Sequence, residues 1–146
     1  MDPSPMATRI AVLTTAILIS ISAFLPWVTV NTTLGLSSRS GLDGGGDGVY
    51  VLAIGLVLGF AALVAGARVT GAAAISIGLL GLGLAWLDGN DIATGVADRR
   101  GAFVAVSLGG GLYLLAFAAA LSLIAGLMLL AAFRRQRGVD RAPSSR

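Results

Sequence analysis

Residues Leu112 to Phe133 form a run of 22 without a charge, and Arg134-Arg135-Gln136-Arg137 follow at once. A helix of about 20 apolar residues crosses the hydrocarbon core of a bilayer. A basic cluster directly after it marks the cytoplasmic end. The rest of the chain must either share that membrane or stand at its surface.

Composition agrees with this solvent. Only 12% of the 146 residues are charged and 56% are hydrophobic, with a mean hydropathy of +0.91. Soluble domains carry about a quarter charged residues. Every cation is arginine and every anion aspartate; Lys, Glu, His and Cys are absent. That usage, with abundant Ala, Gly and Val, points by codon composition to a GC-rich bacterial genome. Without Cys there is no disulfide, thiolate nucleophile or iron–sulfur site. Without His there is no imidazole base and no common zinc cluster. The net charge of +3 does not imply nucleic acid as a partner, because the arginines flank apolar segments, where topology accounts for them.

Arg9 precedes an apolar run, Ile10 to Leu25, that ends at Pro26-Trp27. The run is long for a signal peptide and lacks a clear small-x-small cleavage site, so it is expected to stay as a first helix. Val28 to Thr33 is β-branched and alternating, which suggests a short strand. The second apolar segment contains Gly55 and Gly59, four residues apart, a spacing that lets helix backbones approach closely. A very short turn around Arg68 joins it to the third, with Ala74, Gly78 and Gly81 on one face and Trp86 near its end. Residues 101–108 fit either a strand or the opening turns of the fourth helix, with Gly109-Gly110-Gly111 as the break. The fourth segment repeats the small-residue stripe at Ala118, Ser122 and Gly126.

The expected fold is an all-α membrane protein, a bundle of four transmembrane helices with a small extracellular β element from the two outer loops. The helices are expected over 9–26, 49–67, 71–87 and 109–133. Outer loops cover 27–48 and 88–108, an inner turn 68–70, and disordered cytoplasmic ends 1–8 and 134–146. With both termini cytoplasmic, seven arginines lie inside, among them Arg134, Arg135 and Arg137, against three outside, the bias that orients membrane proteins. Trp27 and Trp86 then fall at the same outer interface as headgroup anchors.

Candidate chemistry is sparse. Asp43, Asp47, Asp88 and Asp91 share the outer side and are the candidate ligands for Ca²⁺ or Mg²⁺, although their spacing is not that of an EF-hand and short Asp/Gly loops usually serve as turns. Arg99-Arg100 are the one dense positive charge outside. Gly55, Gly59, Ala74, Gly78, Ser122 and Gly126 are helix-packing residues, within one subunit in preference to between copies. No helix carries the ionisable residue that ion-coupled transporters keep in the membrane, and no catalytic constellation can be assembled. No enzyme activity and no cofactor are expected.

Leu25-Pro26-Trp27, Ser40-Gly41-Leu42-Asp43 through Asp47-Gly48, and Gly111-Leu112-Tyr113-Leu114 resemble the pattern of small four-helix membrane proteins of actinobacteria with no assigned activity. The resemblance implies a plasma-membrane protein. The layout is also similar in shape to that of claudins, without their paired loop cysteines or Gly-Leu-Trp signature. The expected function is non-enzymatic association at the plasma membrane, as a scaffold or accessory subunit of the cell envelope. Its partners would be lipid and a second membrane protein or copy. The alternatives are a membrane-permeabilising or phage-related protein, such as a holin or exclusion factor, and a passive channel.

Overall fold

The computed structural model describes residues 5–32, 35–43, 47–98 and 104–140. The described residues are mostly helical and form four helices and one small sheet. The elements are α1 (Pro5–Ser22), β1 (Pro26–Thr32), β2 (Gly35–Ser40), α2 (Gly48–Val64), α3 (Ala67–Asp98), β3 (Val104–Leu108) and α4 (Gly110–Asp140). Two helices contain stretches long and apolar enough to cross a membrane, Ala67–Thr94 and Gly110–Arg135; the other two are shorter apolar helices.

The helices pack in the order α2, α1, α4, α3, and a lighter α2–α3 contact closes the bundle. Neighbours run antiparallel, as the short turn between α2 and α3 requires. Ala65 leaves the helical region at φ −86°, ψ 157°. Two side chains cap the carbonyls of this helix end, where Ala61 O already accepts the Ala65 N–H at 2.9 Å. Arg9 donates an Nη2–H to Ala65 O at 2.8 Å, and Thr70 Oγ1 donates to Ala61 O at 3.0 Å. Such caps matter because the last carbonyls of any helix lack intrahelical partners.

Against α4, α3 closes through small residues. A Cβ on Gly78 would stand 2.7 Å from Ala119 O, and one on Gly126 would stand 2.8 Å from Gly71 O. Ser122, fully buried, donates to Ala74 O at 3.0 Å. These backbones touch without side chains between them, and dispersion over such contacts drives helix association where no water is displaced. The core around this seam includes Val12, Ile19, Val51, Leu58, Ile77 and Leu115.

The sheet has the order β2-β1-β3, antiparallel throughout. Val28 faces Leu108 and Val30 faces Val106, so the two outer segments join through β1. Residues 104–108 are therefore the strand alternative, and the break falls at Gly109.

Several expected boundaries are corrected. The first helix stops at Ser22 and not at 26: Pro26 disfavours helix in the residue before it, and the chain turns over residues 23–25 before Pro26 opens β1. The second outer loop does not begin at 88: α3 runs on to Asp98. No proline interrupts 88–98, Ile92 packs against the core, and Thr94 Oγ1 bonds the Asp91 carbonyl. The inner turn lies at Ala65-Gly66, with Arg68 already helical. Residues 134–140 continue α4 instead of opening a disordered tail, since Arg and Gln are good helix formers. Arg99 and Arg100 lie outside the described residues, as do Met1 to Ser4 and Arg141 to Arg146.

Close packing of the seam has a direct test. Gly78→Ala should destabilise the protein by about 1–3 kcal/mol, the usual cost of overpacking, read as a lower melting temperature in detergent. Gly83→Ala on the same helix meets nothing within 4 Å and should be neutral or slightly stabilising.

Candidate functional site

Both strand connections to the bundle meet at Trp27. The register between β1 and β2 slips between Pro26 and Val28, so Trp27 is the extra residue of a β-bulge. Bulges re-aim a side chain, and here the indole turns into the bundle. It is 6% exposed, and Nε1 donates to Ser22 O at 2.8 Å, which satisfies a carbonyl of the last turn of α1. Two glycines make the socket. A Cβ on Gly41 would lie 2.5 Å from Trp27 Cε2, and one on Gly111 would lie 2.5 Å from Trp27 Cδ1. The Gly109 N–H donates to Trp27 O at 2.7 Å, and the Gly48 N–H donates to Gly41 O at 3.1 Å. One ring thus fixes α1, the hairpin, the start of α2 and the start of α4. Trp27 is therefore not the headgroup anchor that its position after Pro26 suggested. Trp86, at 74% exposure, keeps an outward-facing indole.

Beyond the socket, β2 is exposed from Gly35 to Arg39, with Leu36 its one large apolar side chain, at 73% exposure. The turn after it is held by Asp43, whose Oδ2 accepts from the Ser40 N–H at 2.7 Å and the Ser40 hydroxyl at 3.0 Å. The backbone N–H and then the hydroxyl hold the Asp43 carboxyl below the usual carboxylate range.

The second polar feature joins two helices. Asp88, one residue past the uncharged run that ends at Leu87, meets Asp47 at the N-terminus of α2. Asp88 Oδ2 is buried without a donor. Two carboxyls can share a hydrogen bond only when one of them is protonated. The four acids do not converge as a cation site: Asp43 is engaged with Ser40, and among the described residues no three His, Cys, Asp or Glu are grouped to hold a metal ion.

The packing residues separate into two seams. Gly55 lies on α1, where an added Cβ would overlap Ser20 Oγ and stand 3.0 Å from Ala16 O; Gly59 meets only Ala16 Cβ, at 3.7 Å. Across α3 and α4, Ser122 meets Ala74, Gly78 meets Ala119 and Leu123, and Gly126 meets Gly71 and Ile75. Arg134 and Arg135 extend exposed from the last turns of α4, and Arg137 lies on the same helix.

Sequence reasoning missed the Trp27 socket and the Asp47–Asp88 contact. A signal for the first was present: Leu25-Pro26-Trp27, Ser40-Gly41 and Gly111-Leu112 pair one large aromatic ring with two glycines. No protein-family model matches the chain, and no curated protein matches it.

The acid pair has a direct test. Asp88 Oδ2 is buried without a donor, and Asp47→Asn offers it an amide N–H in place of a second carboxyl. The variant should be more stable by about 1 kcal/mol, the net worth of one added hydrogen bond, read as a higher melting temperature in detergent.

Proposed function

We propose that the chain is a four-span integral protein of the plasma membrane, with both termini cytoplasmic. On this reading it acts without catalysis, by association, presenting the small sheet on the outer face. The observation that carries the proposal is the apolar surface. Ile17, Phe60, Leu80, Phe117 and Ile124, from all four helices, are more than half exposed. Soluble monomers rarely expose contiguous apolar surface beyond a few hundred Å². Lipid gives such a belt a solvent. At 18 and 17 residues, α1 and α2 measure about 26 Å, somewhat short of a typical core of about 30 Å, which local thinning of the bilayer accommodates at modest cost. The seven-to-three arginine bias supports the cytoplasmic placement of both ends.

Association is favoured over permeabilisation by the closed seam of α3 on α4 and by the sheet that covers one end of the bundle. An exposed edge strand with one large apolar residue, Leu36, beside Ser37, Ser38 and Arg39 suits recognition by another protein of the envelope. A second copy of the chain is the other partner the surface suits.

The absence of native cysteine makes topology directly testable. Ser38→Cys should react with a membrane-impermeant maleimide in intact cells, and Ser144→Cys only after permeabilisation. Labelling of both from outside would end the proposed orientation. Cross-linking through Ser38→Cys in native membranes should capture a partner. Leu36→Asp should lower that yield several-fold with expression unchanged, and recovery of monomer alone would count against association.

A further inference from the structure

At the end of the bundle opposite the sheet, an apolar groove of about 350 Å³ runs between α1 and α4. Its walls include Ala11, Thr14 and Thr15 from α1 and Leu121, Ile124 and Met128 from α4. We propose that this groove holds an acyl chain of an anionic phospholipid of the inner leaflet, with the lipid phosphate at Arg135. The inference rests on the membrane reading above and names a lipid partner for it.

Three observations carry it. Two of the lining hydroxyls are spent within their own helix: Thr14 Oγ1 donates to Ile10 O at 3.0 Å and Thr15 Oγ1 to Val12 O at 2.8 Å. What faces the groove is therefore hydrocarbon, which fits an acyl chain and not a polar ligand. The wall on α4 then leads to a cation. Arg135 is 7 residues past Met128, 11 past Ile124 and 14 past Leu121, spacings that return to the same face of a helix. It stands about 10 Å beyond Met128 along the axis and is exposed, whereas Arg134 is turned about 100° away. A guanidinium offers five N–H donors in a fork that matches phosphate oxygens, so a lipid phosphate is accommodated beside the contact that Arg135 makes within the chain.

The other apolar groove makes the contrast. It lies between α1 and α2, measures about 430 Å³ and is also apolar, with Leu13, Ile17, Phe24 and Phe60 among its walls. The arginine nearest its inner end is Arg9, one helical turn before Leu13, and its Nη2 is given to the Ala65 carbonyl. Arg9 is part-buried at that contact, whereas Arg135 is exposed, so charge complementarity to an anionic headgroup favours the α1–α4 groove.

The test uses the full chain in phosphatidylcholine vesicles with trace spin-labelled phosphatidylglycerol or phosphatidylcholine, and reads the motionally restricted fraction by electron paramagnetic resonance. The wild-type protein should prefer phosphatidylglycerol about fivefold, the scale of one arginine at a charged leaflet. Arg135→Gln should abolish the preference and Arg134→Gln keep most of it. Ala11→Phe, which fills the groove from an exposed position, should reduce the restricted phosphatidylglycerol. Inorganic phosphate at millimolar concentration should not displace the lipid. Equal retention of the two lipids, equal losses in the two arginine variants, no effect of Ala11→Phe, or displacement by phosphate alone would each overturn the proposal. Alkaline carbonate treatment of native membranes separates the failures. Release of the protein ends the membrane reading itself, whereas a protein that stays inserted but shows no lipid preference ends only the lipid site.

Discussion

The indole N–H of Trp27 bonds the carbonyl of Ser22 at 2.8 Å, and the arrangement of one whole end of the molecule follows from where that ring sits. A helix that ends under a sheet must satisfy its last carbonyls without water. The indole meets part of that demand and fills the space between α1 and α4. The same ring leaves no room for a Cβ at Gly41 or Gly111, so the hairpin and the start of α4 close on it as two faces of one socket. Through the bulge at Trp27, β1 then lies between β2 and β3. Two segments more than sixty residues apart in the chain become one sheet.

Small residues do for the helices what the tryptophan does for the sheet. The Gly78–Ala119 and Gly126–Gly71 approaches bring α3 and α4 into backbone contact, and Ser122 ties them with a hydrogen bond whose acceptor is a helical carbonyl. Leu58, Leu115 and Leu129 are buried inside the bundle, while Leu79, Leu80, Phe117 and Leu127 are all more than half exposed. A water-soluble bundle keeps most such residues inside; an apolar outer surface suits lipid, where close approach and not burial of hydrocarbon holds helices together.

Much of this was legible in the sequence. The four apolar runs, their short α2–α3 turn and the strand at Val28–Thr32 can be read from period and composition, because each depends on residues close in the chain. The glycine spacings likewise indicated the packing faces. What could not be read depends on distant residues. Nothing local says that Trp27 turns inward; only Gly41 and Gly111 arriving from elsewhere make that possible. Nothing local marks Asp88 as the partner of Asp47 across 41 positions, or extends α3 past Leu87 to Asp98. Polar residues there suggested a loop, yet a helix already begun continues cheaply, since each added residue brings its own hydrogen bond, and Ile92 finds the core.

The unequal helix lengths then decide where polar chemistry can sit. With 32 and 31 residues, α3 and α4 measure about 47 Å, far more than the about 26 Å of their partners. Because α3 and α4 are antiparallel, their C-terminal overhangs project at opposite ends. The α3 overhang carries Asp88 and Asp91 past the start of α2, where Asp47 waits. The α4 overhang carries Arg134 and Arg135 past the α1–α4 groove. In the uncharged middle the bundle offers only packing. Its two distinct electrostatic environments, an acid pair beside the sheet and a basic end below the groove, both arise where a long helix outruns its neighbours. A four-helix bundle of matched lengths would have neither. The association proposed above, with protein at the sheet end and lipid at the basic end, would draw on that same mismatch.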